Sequence, residues 1–431
     1  MDELYLIDGR PKFLQALPHS FQHVLTMFVT NLVPIATISA AARPAIPDEA
    51  VLWMIQAALI ASGIATILQS TPVWKIGSGL PIFMGLSFTF IVPLSAIAAK
   101  HGYGTVIGTV LVGGVFEGIL GMTVKYWKGL IAPIVSALVV TGIGIALLPT
   151  AARRFGGGNT EDFGSVPNLV IGGVTILAGL TWMVWVKGTK RHLSILAGLA
   201  AGYITALFMG RIDLSGVLDG AWIALPRLLP FRPVFRIDAI VSVMIVDLVS
   251  ASETLGDGSA VAGGILHRSM TKEEMTGALT VDGFGSALSA LFGATPVTSY
   301  SENVGLSIMT GVVSRRVMRI GGAILIVVGF FPIVGRIAGT IPDAALGGVL
   351  LMVMGQILVS GIAMIADAGF TMRNRMIAAI SLSMSIGFTA SSEKGIWVNF
   401  PTMIQTIFSQ NVIAFIFVTA LILNLILPKD D

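Results

Sequence analysis

The sequence contains no cysteine, and its five histidines show no metal-ligand spacing. A disulfide framework and a thiolate metal site are therefore excluded, and we expect no metal and no cofactor. Charged residues are also scarce, at 11% of 431 residues, against about 25% in an ordinary soluble domain. The formal net charge of +3 is small for this length, so nucleic acid is not expected as a partner.

Long hydrophobic segments take the place of that missing charge. Hydrophobic residues make up 55% of the chain, and a membrane-spanning helix needs about 20 mainly apolar residues. Twelve clear segments lie near residues 16–38, 50–69, 104–123, 130–150, 168–187, 192–210, 237–256, 274–293, 317–339, 343–362, 374–391 and 409–427. The sequence therefore predicts an all-α polytopic protein in a lipid bilayer.

Two further apolar segments, 81–98 and 295–312, are interrupted. Each surrounds a short strand-prone run, 86–90 in the first and 297–301 in the second. We expect the helix to be broken by Pro81, Gly85 and Pro93 in the first segment and by Pro296, Asn303 and Gly305 in the second. Backbone without helical bonds is tolerated at membrane depth only inside protein or beside a cavity. We therefore expect both breaks to border a polar cavity.

Counting the two broken segments gives fourteen spans, with the broken ones third and tenth. Interrupted spans at equivalent positions indicate an inverted repeat of seven plus seven spans, with a substrate site near the midplane. Sixteen of the 26 Lys and Arg residues fall on one side of this topology, among them Lys125, Lys128, Arg315, Arg316 and Lys429. The positive-inside rule makes that side cytoplasmic, so both termini are expected in the cytoplasm and the protein in the plasma (inner) membrane.

Ionisable side chains inside the predicted spans are the candidates for function. A charge at the bilayer centre costs roughly 2.5 to 3.5 kcal/mol, so it normally faces a cavity or a substrate path. Glu253 and Asp257 are four residues apart and share one helix face. We interpret Glu117 as a packing residue, and leave Asp247 open between packing and function. The full set is His23, Glu117, Asp247, Glu253, Asp257, Asp282 and Glu302.

Carboxylates beside broken backbone suit a planar heterocycle such as a nucleobase. Its N–H groups donate to the carboxylates, and freed backbone amides at the N-terminus of a half-helix bond its carbonyl groups. Buried acids and His23 are also able to take up a proton. No triad order, zinc motif or phosphate loop indicates an enzyme, since Gly256-Asp257-Gly258 alone is a weak pattern.

These residues resemble the nucleobase/ascorbate transporter family. Glu302-Asn303-Val304-Gly305, followed by Thr310-Gly311, is similar to its signature of Gln or Glu before Asn-x-Gly-x4-Thr. Further matches in order are Gln22-His23, Ser87-Phe88-Thr89-Phe90, Glu253-Thr-Leu-Gly-Asp257 and Asp282. The resemblance extends from about Phe13 to Leu427.

The resemblance implies two domains with the substrate between them. The core domain comprises residues 13–125 (spans 1–4) and 237–340 (spans 8–11), and the gate domain comprises 126–236 (spans 5–7) and 341–431 (spans 12–14). Substrate binding is implied for Glu253, Glu302, the main chain at Phe88 and Ser301, and for His23 and Asn303. Proton coupling or its network is implied for His23, Asp257, Asp282 and Glu302. The resemblance further implies a secondary active transporter that works by alternating access, a proton symporter and a homodimer formed through the gate domain.

The substrate and the coupling ion leave alternatives open. Glu253-x-x-Gly-Asp257, and Gly156-Gly-Gly with the later Asp162-Phe-Gly-Ser, resemble the xanthine and urate branch, which predicts import of a purine. Glu302 instead resembles the uracil permeases, because many xanthine and urate carriers have Gln there. A uracil permease is therefore the first alternative, and an anion carrier of the same fold, which would favour a neutral or basic residue at 302, is the second. Sodium stays an alternative to the proton.

Overall fold

A computed structural model describes residues 3–409 and 411–428 of the chain. Its described part contains seventeen α-helices and two short β-strands. The helices are α1 (Phe13–Ala41), α2 (Asp48–Ser70), α3 (Ile91–His101), α4 (Tyr103–Met122), α5 (Val124–Trp127), α6 (Pro133–Phe155), α7 (Val166–Trp185), α8 (Ser194–Phe208), α9 (Ile237–Gly264), α10 (Lys272–Leu291), α11 (Ser301–Thr310), α12 (Arg315–Gly329), α13 (Pro332–Gly339), α14 (Asp343–Asp367), α15 (Met372–Ala390), α16 (Thr402–Phe408) and α17 (Val412–Ile426). The strands are β1 (Met84–Leu86) and β2 (Val297–Ser299).

The prediction of a helical membrane protein is confirmed. Among the described residues, eight helices are long and apolar enough to cross a bilayer: α1, α2, α4, α6, α7, α9, α14 and the helical segment that ends with α8. The pair α12 and α13 passes the same test together. The count of fourteen spans stays a prediction, and Lys429, which was assigned to the cytoplasmic side, lies outside the described residues.

The two broken segments meet in the centre of the protein. Strands β1 and β2 pair antiparallel, with Met84 opposite Ser299 and Leu86 opposite Val297. Beyond the ladder, the Ser87 N–H donates to the Pro296 carbonyl at 3.0 Å. Each strand is followed by a half-helix, α3 or α11, so both breaks occur as a strand and a half-helix.

The details of the breaks differ from the sequence prediction. Strand β1 ends at Leu86, so the expected run 86–90 was placed too far towards the C-terminus. Strand β2 begins at Val297 as expected, but it ends at Ser299, two residues before the end of the expected run 297–301. Asn303 and Gly305 lie inside α11 and do not break it. That helix ends at Gly311, whose φ of 68° is the left-handed conformation that glycine adopts without strain.

The segment 317–339, which was expected without a break, is divided into two helices. Helices α12 and α13 are bent by 81° at the residues between them. Pro332 is the first residue of α13, and proline has no N–H with which to continue the bonds of the preceding helix. The chain therefore turns sharply before Pro332.

Side chains of neighbouring helices complete the hydrogen bonding of the strands. The Leu86 N–H donates to Asn31 Oδ1 on α1 at 2.8 Å, and the Met84 N–H donates to Thr66 Oγ1 on α2 at 3.0 Å. On the other strand, Ser286 Oγ of α10 accepts from the Val297 N–H at 3.1 Å and donates to the Val297 carbonyl at 3.0 Å. These bonds satisfy backbone groups that have no water in a bilayer.

Candidate functional site

A cavity of about 410 Å³ lies beside the two strands. One wall is formed by the strands, by the residues that follow them, and by α9 and α11. The opposite wall is formed by α6 and α14. Its polar lining residues are Ser87, Ser136, Ser252, Glu253, Asp257, Thr298, Ser299, Tyr300, Ser301, Glu302, Gln356 and Ser360.

Two carboxylates point into this cavity from neighbouring elements. Glu253, on α9, accepts a hydrogen bond from Thr89 Oγ1 at 2.8 Å. Glu302 is the second residue of α11, and its Oε1 has no hydrogen-bond partner among the described residues. No Lys, Arg or His lines the described part of the cavity. The two acids are therefore available to groups of a bound solute.

A third acid, Asp257, lies one helical turn after Glu253 and also lines the cavity. Its Oδ2 accepts from Ser299 Oγ at 2.6 Å and from Ser301 Oγ at 3.0 Å. Ser299 is the last residue of β2 and Ser301 is the first residue of α11, so the segment 299–301 spans the junction of the two elements. Asp257 therefore positions this segment at the cavity wall.

A chain of hydroxyl groups leads from Asp257 to Asp282 on α10. Ser299 Oγ, bonded to Asp257, lies 3.1 Å from Thr254 Oγ1. Thr254 Oγ1 in turn donates to Asp282 Oδ2. Asp282 is fully buried and does not line the cavity. This chain and a hydrogen bond from the Ser299 backbone to Asp282 connect it to the cavity wall.

The first turn of α11 presents a backbone donor at the same place. Its hydrogen bonds begin with the Asn303 N–H, which donates to the Tyr300 carbonyl at 3.0 Å. The Ser301 N–H precedes that first bond, as at the start of any helix, whereas the Glu302 N–H bonds the carboxylate of its own side chain. An electronegative group of a solute is favoured at such a terminus.

The structure brings together most of the residues predicted for the site. Glu253, Glu302, Phe88, Ser301 and Asp257 all line the cavity.

His23 and Asn303 do not line the cavity, and each is almost completely buried. The His23 ring stacks on Phe83, with ring centroids 5.3 Å apart and an interplanar angle of 7°. Asn303 Nδ2 donates to the His23 carbonyl at 3.2 Å. The lining residues of α11 are 301, 302, 304, 305 and 308, whereas Asn303 is directed at α1 and joins α11 to that helix.

Glu117 and Asp247 lie away from the cavity, in the packed interior of α4 and α9. Both are buried, and Ser250 on α9 is the hydroxyl group that faces Glu117. Glycines allow this close packing: a Cβ added at Gly113 would lie 2.6 Å from Asp247 Oδ2, and one at Gly283 on α10 would lie 2.1 Å from the Gly118 nitrogen on α4. Small residues let membrane helices approach in this way.

The sequence did not predict that α6 and α14 contribute polar residues to the cavity. These residues are Ser136 of α6, and Gln356 and Ser360 of α14. The available signal was a lone amide, Gln356, in the otherwise apolar predicted span 343–362.

One end of the cavity continues towards the side that carries Lys128. A second cavity, lined by Lys128 and Asp367 among others, shares Ser136, Ser252, Gly256 and Met364 with the first. The site is therefore connected to that side of the protein. Within residues 3–409 and 411–428, no group of three His, Cys, Asp or Glu side chains is placed to hold a metal ion.

A helical membrane fold with a polar cavity between two groups of helices defines a membrane transporter. The comparisons agree, because the family model described as "Permease family" matches residues 14–394. The chain therefore belongs to this permease family, the nucleobase/ascorbate transporter family, whose members are transporters and not enzymes.

Curated relatives cover nearly the whole chain. The uric acid permease PucJ of Bacillus subtilis is 30% identical over 419 residues, which is 96% of this chain and 92% of PucJ. The xanthine permease XanQ of Escherichia coli K12 is 30% identical over 444 residues, which is 99% of this chain and 94% of XanQ.

Among solved structures, the fold is similar to the transmembrane domain of the cyanobacterial bicarbonate transporter BicA. The TM-score is 0.62 at 19% sequence identity, and the alignment covers 94% of this chain and 97% of that domain. This similarity concerns the fold alone.

Proposed function

We propose that the protein is a secondary active transporter that imports a nucleobase, and specifically a purine such as xanthine or urate. The observation that supports this most is the placement of Glu253 and Glu302 in one cavity, next to the N-terminus of α11. The cavity thus offers a carboxylate acceptor at Glu253, a carboxyl group at Glu302 that donates when it is protonated, and a backbone donor at the start of α11. A ring that carries both N–H and C=O groups matches this combination, whereas an inorganic anion would meet two unpaired acids.

The choice of a purine rests on Asp257 and on the relatives. Asp257 occupies the position where the resemblance places His in uracil permeases, and here it holds Ser299 and Ser301. PucJ is named a uric acid permease and XanQ a xanthine permease. A uracil permease remains the alternative because of Glu302.

We also propose that the chain has fourteen spans in a seven-plus-seven inverted repeat. The first set is α1, α2, α3, α4, α6, α7 and α8, and the second is α9, α10, α11, α12, α14, α15 and α17. The packing partners correspond between the sets: α2 packs on α12, while its equivalent α10 packs on α4, the equivalent of α12. Likewise α1 packs on α12, and its equivalent α9 packs on α4, the equivalent of α12. Helix α7 packs on α8, and their equivalents α15 and α17 pack on each other. The β1–β2 pair joins equivalent elements.

The same packing supports two domains. The core domain comprises residues 13–125 and 237–340, and the gate domain comprises residues 126–236 and 341–431. Residues 410 and 429–431 of the gate domain lie outside the described part. The most extensive helix packing is within each domain, α4 with α10 and α2 with α12 in the core and α6 with α14 in the gate. Helices of different domains pack less extensively. Relative movement of two such domains would give alternating access to the cavity.

We propose proton coupling through Asp257, Asp282, Glu302 and His23. The hydroxyl chain from Asp257 through Ser299 and Thr254 to Asp282 supports this proposal. Each hydroxyl has one proton to donate, so the chain is continuous when Asp282 is protonated: Asp282 then donates to Thr254, Thr254 to Ser299, and Ser299 to Asp257. Sodium is the alternative coupling ion.

We place the protein in the plasma (inner) membrane with both termini in the cytoplasm. The N-terminal segment supports this orientation, since Asp8 pairs with Arg315 at 2.5 Å on the side that carries Arg316 and Arg319. A homodimer through the gate domain is proposed on the family resemblance.

Uptake of labelled xanthine, urate and uracil tests this proposal in a strain that lacks its own permeases. We expect xanthine or urate to accumulate, and accumulation to fall when a protonophore collapses the pH gradient. Accumulation of labelled uracil without accumulation of xanthine or urate would identify a pyrimidine permease. Uptake that follows a sodium gradient at constant pH would contradict proton coupling.

Replacement of Glu302 with Gln should leave xanthine or urate transport in place and flatten its pH profile. The Gln amide reproduces the donor of a protonated carboxyl group, and it donates without needing a proton. Uptake rates of wild type and Glu302→Gln across a pH series measure this effect. A loss of about tenfold or more would mean instead that an ionised Glu302 accepts a charge-assisted hydrogen bond from the substrate.

A further inference from the structure

One face of α14 forms the gate-side wall of the cavity. Its lining residues are Val353, Gln356, Ile357, Ser360 and Met364. Residues 353, 356, 360 and 364 are three or four residues apart, and 357 is four residues after 353, so all five lie on a single helix face. Helices α9 and α11, which carry Glu253 and Glu302, line the same cavity and do not pack extensively on α14.

Gln356 is the one amide side chain among the described lining residues. It is exposed to the cavity, and no hydrogen bond to another described residue occupies its amide. The neighbouring lining residues Val353 and Ile357 are apolar, so they do not compete for that amide. A polar group in an otherwise apolar stretch of membrane helix normally faces a polar path.

The chemistry of Gln356 complements that of the opposite wall. An amide has one acceptor oxygen and an NH₂ donor side by side, whereas an ionised carboxylate only accepts. A lactam edge, with C=O next to N–H, pairs with an amide through two hydrogen bonds. A second N–H of the same ring remains for Glu253.

We propose that Gln356 is a specificity-determining, substrate-binding residue contributed by the gate side, and that it pairs with a lactam edge of the nucleobase. This inference rests on the proposed function and extends it to the wall opposite the carboxylates. The substrate then bridges α14 and α9. The substrate therefore binds tightly only while the distance between α14 and α9 matches the width of one nucleobase.

Replacement of Gln356 with Ala tests the contact by affinity. Loss of a neutral hydrogen-bonded pair should weaken xanthine binding by roughly five- to tenfold. Val359→Ala is the matched control, because Val359 is on the same helix, is 64% exposed and does not line the cavity. Calorimetric titration of purified protein measures the affinity, and equal affinities for both variants would overturn the proposal.

A second measurement does not depend on how well the Ala variant folds. Because the chain has no cysteine, Gln356→Cys and Val359→Cys each introduce a single thiol. We expect a small hydrophilic thiol reagent to label Gln356→Cys and xanthine to slow that labelling, with no effect of xanthine on Val359→Cys.

Xanthine uptake by the wild type, measured in parallel, separates the two proposals. Uptake together with protection of Gln356→Cys supports the contact. Uptake without protection overturns the contact and leaves the proposed function standing. If the wild type carries no nucleobase at all, the proposed function fails, and this inference fails with it.

Discussion

Replacing Glu253 with Gln should abolish detectable nucleobase binding while the protein remains folded in the membrane. Thr89 donates to one carboxylate oxygen at 2.8 Å, and this bond fixes the side chain at the cavity wall. The carboxylate accepts two N–H bonds where an amide offers one acceptor and a repelling NH₂ group. The lost charge-assisted bond is worth about 1.5 to 3 kcal/mol, or about tenfold to more than a hundredfold in affinity.

Titration of purified wild type and Glu253→Gln with xanthine, urate and uracil measures this loss. Glu273→Gln is the control, since Glu273 is an exposed residue in the first turn of α10 and changes the charge by the same amount. Both variants should melt at the temperature of the wild type. Unchanged affinity of Glu253→Gln would remove this residue from the site.

Replacing Gly85 with Val should abolish transport by disrupting the strand pair. Valine favours strands in general, so local propensity alone predicts a neutral or stabilising change. The surroundings predict the reverse: a Cβ at this position would lie 2.6 Å from Tyr300 Cδ2 and 3.0 Å from Asn31 Oδ1. Tyr300 has little freedom to move, because its N–H donates to the Phe83 carbonyl at 3.0 Å. Overpacking a core costs about 1 to 3 kcal/mol.

Uptake and thermal denaturation of Gly85→Val measure that cost. We expect uptake to fall at least tenfold and the melting temperature to fall with it. Gly173→Val is the control, because no atom lies within 4 Å of a Cβ added at Gly173 on α7. Wild-type behaviour of Gly85→Val would contradict the close packing of β1 against Tyr300 and Asn31.

The helix breaks and the acids beside them were predictable from the sequence. An ionisable residue such as Glu302 and a proline such as Pro296 are unusual residue types within an apolar segment, and they are visible in the sequence itself. Recognising them needs no knowledge of the neighbouring helices. It located both broken segments and the carboxylates Glu253 and Glu302 that line the cavity.

Contacts between distant segments were not predictable in the same way. Asn31 and Thr66 bond the backbone of β1, but a single polar residue in an apolar helix does not reveal its partner. Likewise Asn303 belongs to the recognised motif, yet it turns towards α1 because of its position on the α11 face. Pro332 was a sequence signal for the bend between α12 and α13. The continuous hydropathy of 317–339 nevertheless led to the prediction of an unbroken span.

The pairing of β1 with β2 constrains the order of events during synthesis. Strand β1 leaves the ribosome when its partner strand does not yet exist. At about 5 to 20 residues per second, the roughly 200 residues between the strands take about 10 to 40 s to make. During that interval Asn31 and Thr66, which are already synthesised, can bond the N–H groups of Leu86 and Met84 on the edge of β1 that faces away from β2. The edge that faces β2 is bordered by the Phe83 carbonyl and the Ser87 N–H, whose partners are Tyr300 and Pro296. One edge of β1 can therefore be bonded early, whereas the other stays without its partner until the second half is synthesised.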